Sequence, residues 1–314
     1  MIGLIQAATQ NAQQLGTPGG PAGPPKAFSY REALFQLVQF VGYFLAIGAL
    51  GFRYGIVRRM PGASDEAKRI LRADNAALLG IIGLVLLFVS YLGGPYVNSV
   101  VEHKTFAEAL PKNIAPLQLK MALLLLALIG FSIVRASSGI GWTLAAIGIL
   151  IAVLQPLYTA RSLSGRVNAV HILAASTWLG TLLVLTLIGI RGVIRTAPPG
   201  LSRAELVCDL VNSFSPLALS AASIVALTGA TTAWLHLKRF SALWTTGYGI
   251  ALIVKLVFVG MVVIMGAWNW KRVRPSLGES GSEETIRRSS TMELTFGALV
   301  LIATSVLVSL PSPR

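Results

Sequence analysis

Apolar residues run in long stretches along this chain, and charged or helix-breaking positions gather between them. Eight stretches stand out, at roughly 33–55, 75–97, 115–134, 139–158, 168–190, 214–236, 247–269 and 290–310. As helices they reach the length of about 20 residues that crosses the ~30 Å hydrocarbon core of a bilayer. Leu, Ile, Val, Ala, Gly and Phe dominate them, and the alternation of a membrane barrel is missing. The pattern predicts an all-α, polytopic membrane bundle of about eight transmembrane helices. Residues 1–29 differ: Gly, Pro, Gln and Ala dominate, and Gly16 to Pro25 reads GTPGGPAGPP, which predicts a flexible tail. The expected organisation is this tail, a four-helix half over 30–160 and a second four-helix half over 161–314.

Composition agrees with the pattern. Of 314 residues, 54% are hydrophobic and only 12% charged, about half the charge of a soluble domain. The net charge of +14 has no bearing on nucleic acid here, because in a membrane protein excess Lys and Arg collect in loops. Fifteen of the 26 fall in the loops after the first, third, fifth and seventh spans, nine on the other side, and Lys120 and Lys255 lie within spans. The positive-inside rule therefore predicts both termini outside the cytoplasm. Cys208 is the one cysteine, so neither an internal disulfide nor a cysteine-cluster metal site is available. Walker, GxSxG and HExxH signatures are absent, which excludes an ATPase built into this chain.

The three histidines carry the clearest chemical hint. His103 follows the second span, His171 begins the fifth and His236 ends the sixth, so all three fall on the N-terminal face by span parity. Imidazole suits copper, zinc or haem iron. His171 and His236 are expected at one depth on neighbouring helices, whereas His103, between Glu102 and Lys104, reads as a solvated loop residue. Met261 and Met265 share a face of the seventh span with Trp268; thioether sulfur selects Cu(I), although methionine also fills apolar cores. Polar groups inside spans are costly in lipid and so face protein, water or ligand. These are Asn168, Lys255, Asn269 and Glu293; Lys255 either snorkels to the headgroups or awaits an anion. Trp178 lies mid-span on the face of His171, and Trp234 fits an interfacial belt.

The run Asn168-Ala-Val-His171-Ile-Leu-Ala-Ala-Ser-Thr-Trp178-Leu-Gly180 resembles an element of the copper-resistance D (CopD/PcoD) membrane family. Further elements follow in order: Phe214-Ser-Pro216, Leu227-Thr-Gly229, Ala233-Trp234-Leu-His236, Thr246-Gly-Tyr248-Gly249, Lys255-Leu256, Gly266-Ala-Trp-Asn269, Arg287-Arg288-Ser289 and Glu293-Leu294. The resemblance covers about 165–312. It implies a bacterial inner-membrane protein of copper uptake or tolerance, served by a separate periplasmic CopC-like copper chaperone. Three readings follow. Copper, as Cu(I), passes through a His171, His236, Met261 and Met265 path; or His171 and His236 are axial ligands of haem b, with Lys255 on a propionate; or the chain is a structural or assembly subunit of a membrane complex.

Overall fold

The computed structural model describes residues 28–60, 73–103, 105–110, 114–196, 203–237, 239–269, 271 and 282–310. Residues 1–27 of the expected tail lie outside this set. Among the described residues there is no strand. Eight helices are long and apolar enough to cross a membrane: α1 Tyr30–Arg59, α2 Asn75–Val101, α3 Ala115–Ile133, α4 Ser138–Thr159, α5 Leu163–Arg195, α6 Glu205–Leu237, α7 Gly247–Trp268 and α8 Arg288–Ser309. The protein is a multi-pass membrane protein. α1, α5 and α6 run beyond their apolar stretches, and neither Pro216 within α6 nor Gly93-Gly94-Pro95 within α2 ends its helix.

Lipid tails are as apolar as leucine, so close packing of small residues, rather than hydrophobicity, brings membrane helices together. α1 is the hub. It packs against α2, α5 and α8. A Cβ on Gly42 would sit 2.7 Å from the carbonyl oxygen of Gly83 on α2. Where α1 crosses α5, Gly48 and Gly180 leave no space for any side chain. α5 is wound as a π-helix over Ser176–Gly180 at this crossing, and again over Leu185–Ile190. Turns of this kind insert a residue into the helix and concentrate at functional sites.

Polar groups of the first half find partners inside the bundle. Gln39 Nε2 donates to the hydroxyl of Tyr91 at 2.6 Å, the Tyr43 and Tyr91 hydroxyls lie 2.7 Å apart, and Lys120 Nζ donates to Tyr91 at 3.3 Å. This cluster ties α1, α2 and α3 together. α3 and α4 form a tight hairpin. Gln155, where α4 bends into the short turn Pro156–Thr159, donates back to the carbonyl of Pro116 at 2.7 Å.

Candidate functional site

α6 and α7 follow one another in sequence but stand apart, and two cavities open between them. The first, about 350 Å³, lies toward the N-terminal face. α5 contributes Ser164, Asn168 and His171, α6 contributes Thr232 and His236, and α7 contributes Tyr248 and Lys255. α8 closes one side, and Phe40 of α1 reaches in from the first half. The second cavity, about 370 Å³, lies toward the opposite face. Trp178 and Leu182 of α5, Phe214 of α6, Gly266 and Asn269 at the end of α7, and Ser289 and Glu293 of α8 line it.

The histidines are oriented by hydrogen bonds. His236 Nδ1 donates to the carbonyl of Thr232, one turn back on α6, at 2.8 Å. Its Nε2 lies 3.4 Å from Ser164 Oγ, and its ring stacks on Tyr248 with centroids 5.9 Å apart. His171 Nδ1 lies 2.9 Å from Thr228 Oγ1. That hydroxyl sends its own proton to the carbonyl of Ile224 at 2.6 Å, so its oxygen accepts from His171 Nδ1–H. Both rings therefore carry the proton on Nδ1 and keep the Nε2 lone pair for another partner. Metal-binding histidines are held in this way, by a second hydrogen bond through the non-ligating nitrogen. Gly229 makes room for one of them, since a Cβ there would sit 3.2 Å from His171 Cε1.

The expectation of equal depth for the pair is corrected by these contacts. His236 meets α5 at Ser164, while His171 meets α6 at Thr228. Ser164 and His171 are seven residues apart on one helix, which is ~10 Å along the axis at 1.5 Å per residue. The two histidines are successive positions along one cavity. Span parity gives the face of a residue but not its depth.

The remaining candidates separate. Lys255 faces the histidine cavity, and among the described residues no acceptor takes its ammonium. Asn168 lines the same cavity at its exposed rim. Trp178 is buried but lines the opposite cavity, so it does not floor the histidine site. Trp234 is 64% exposed and sits edge-on to Phe240. Neither cavity is lined by Met261 or Met265. Met261, 38% exposed, precedes the buried Val262, and one residue is ~100° of helical rotation away from the inward stripe. His103 is exposed in the loop after α2, with a positive φ of 51°. Glu293 is buried, and its Oε2 accepts from Asn269 Nδ2 at 3.1 Å, while Ser289 Oγ donates to Asn269 Oδ1.

Thr232 and Ser164 were not singled out in the sequence, and Thr228 and Ser289 stood there only within family-like elements, without a site role. A signal for two of them was present: Thr228, Thr232 and His236 recur every fourth residue, which places them on one helical face. Among the described residues no group of three or more His, Cys, Asp or Glu gathers in a form that could hold a metal ion.

Comparison with known proteins bears on the same region. Residues 209–307 match the family model of copper resistance protein D, from α6 through most of α8. A copper transport protein, CutJ of Bacillus subtilis (strain 168), is 28% identical over 149 residues, 46% of this chain and 24% of that protein. The chain thus matches about a quarter of the length of this curated relative. No solved structure matches.

Proposed function

We propose that this protein carries copper ions across the bacterial inner membrane as Cu(I), through its last four spans, because residues 209–307 match the family model of copper resistance protein D. One observation carries the reading. Two histidines, each with its proton pinned at Nδ1, offer Nε2 lone pairs at successive depths of a single cavity. Moving an ion requires ligands that bind well enough to admit it and loosely enough to release it, and a series of weak sites does this better than one closed chelate. His236 would receive the ion and His171 would take it deeper. The methionine steps of the path gain no support from this arrangement, because neither Met261 nor Met265 lines either of the two cavities.

With the basic loops in the cytoplasm, the histidine cavity faces outward, both termini are extracytoplasmic, and a separate CopC-like chaperone would deliver copper to it. On the same reading the division at 160 separates a scaffold half, 30–160, from a transport half, 161–314, with residues 1–29 as a tail.

The haem b alternative draws on Lys255, whose ammonium in the histidine cavity has no partner among the described residues and suits a propionate. Against it, axial ligation asks both Nε2 atoms to meet one iron from opposite sides, and the histidines are offset by two helical turns. Metal analysis and a visible spectrum of the purified protein separate the readings. Bound copper without colour is expected; a Soret band would replace copper by haem, and neither signal would leave the structural-subunit reading.

A further inference from the structure

We propose that Glu293 is a proton-binding site in the second cavity, and that it exchanges its proton for the cation that crosses there. The inference rests on the transport reading for its second half only.

The two cavities lie in one set of four helices but do not meet. On α6 the second ends at Ala222 and the first begins at Gly229; on α7 the first ends at Lys255 and the second begins at Val263. These gaps are ~10–12 Å of helix at 1.5 Å per residue. Buried Val262 and Val300 fill the level between them, with Val225, Phe258 and Val259 packed alongside. An ion leaving the first cavity thus passes an apolar septum and arrives beside Glu293.

The second cavity has a different chemistry from the first. Among the described residues it offers no histidine, methionine or cysteine, so no soft ligand there would retain Cu(I). The titratable residues lining it are Glu293 on α8 and Lys271 beyond α7; those contributed by α5 and α6 are apolar apart from Ser215. Lys271 is exposed, and among the described residues Glu293 pairs with no cationic side chain. Among the described residues its hydrogen-bond partner is neutral. Asn269 holds Oε2, Ser289 holds Asn269, and Oε1 looks toward Gly266, where a Cβ would sit 3.7 Å away. A carboxyl group buried like this in a membrane bundle exists with a cation beside it or with a proton on it, because a lone ionised carboxylate is too costly there.

The donor set selects the proton. Hard metal cations take six to eight oxygen ligands, and Asn269 Oδ1 is already used by Ser289. A proton needs one oxygen. When a monovalent cation enters, the O–H bond of Glu293 breaks and the proton passes to water in the cavity. The cation takes over the balancing charge, and when it leaves, a proton returns. No electron moves and the site stays neutral throughout.

The full-length protein in proteoliposomes tests this, with Cu(I) flux and internal pH read together and an infrared titration of the copper-free protein read separately. Wild type is expected to move protons opposite to copper and to show a carboxylic C=O band. Glu293→Gln should lose that band and the coupled pH signal while keeping copper bound at the histidines, and Glu293→Asp should restore part of both. Copper flux without proton movement, a pH signal undiminished in Glu293→Gln, or dependence on sodium in place of protons would overturn the proposal. Absence of the band in wild type would also overturn it. A band that Glu293→Gln abolishes, in a protein that moves no copper, would uphold the proton site and overturn the transport reading.

Discussion

His236 Nδ1 lies 2.8 Å from the carbonyl oxygen of Thr232, one turn earlier on the same helix. A backbone carbonyl can only accept, so the contact places the ring proton on Nδ1 and turns the Nε2 lone pair toward Ser164 and the cavity. His171 reaches the same state through the hydroxyl of Thr228. Under the transport reading, both rings would be held ready as ligands before an ion arrives.

Histidine at successive depths predicts partial, not total, losses. His171→Ala and His236→Ala should each lower bound copper in the purified protein, and the double variant should lose it. Both single variants should remain folded, because each ring borders a cavity and is only partly buried. Copper content of the three variants checks this; wild-type copper in both single variants would refute the assignment.

Thr228 holds the ring that would meet the ion, without meeting it itself. Thr228→Val removes the acceptor of His171 Nδ1–H while keeping shape. Loss of such an outer contact typically weakens metal affinity about 10–100-fold. Cu(I) competition titration should show this drop for Thr228→Val, with a smaller one for Thr228→Ser.

Lys255 places a positive charge in the cavity that a copper ion would occupy. Lys255→Met removes that charge and keeps most of the side-chain volume, so Cu(I) should be held more tightly at equilibrium and released more slowly. Under haem b the same variant would instead shift or bleach a Soret band. Titration and a visible spectrum on one sample distinguish the outcomes.

Gly48 faces Gly180 with no space between α1 and α5. Gly48→Val should force the two helices apart and destabilise the protein by about 1–3 kcal/mol, the usual cost of overpacking. A lowered unfolding midpoint in detergent would report it, and so would reduced copper content, since α1 also brings Phe40 to the histidine cavity.

Topology follows from the loop charges and is open to a direct test. On a Cys208→Ser background, Arg161→Cys should react with an impermeant thiol reagent in intact cells. Ala136→Cys should react only after lysis. The reverse pattern would invert the protein and exchange the outward and inward assignments of the two cavities.

The eight helices were legible in the sequence because a membrane span is a local property. About 20 apolar residues in a row suffice, and no partner is needed to recognise them. Local order likewise placed His171 and His236 on one face, since span parity is only counting. Orientation within the bundle is another matter. Lipid is as apolar as leucine, so composition does not reveal which stripe of an apolar helix looks inward; that depends on which helices pack against it. The tertiary structure turned Lys255 into the cavity and Met261 away from it, and it set the two histidines two turns apart in depth. It also joined Asn269, at the end of α7, to Ser289 and Glu293 at the start of α8. Periodicity could place Thr228, Thr232 and His236 on one face of α6, but only the approach of α5 made that face a site.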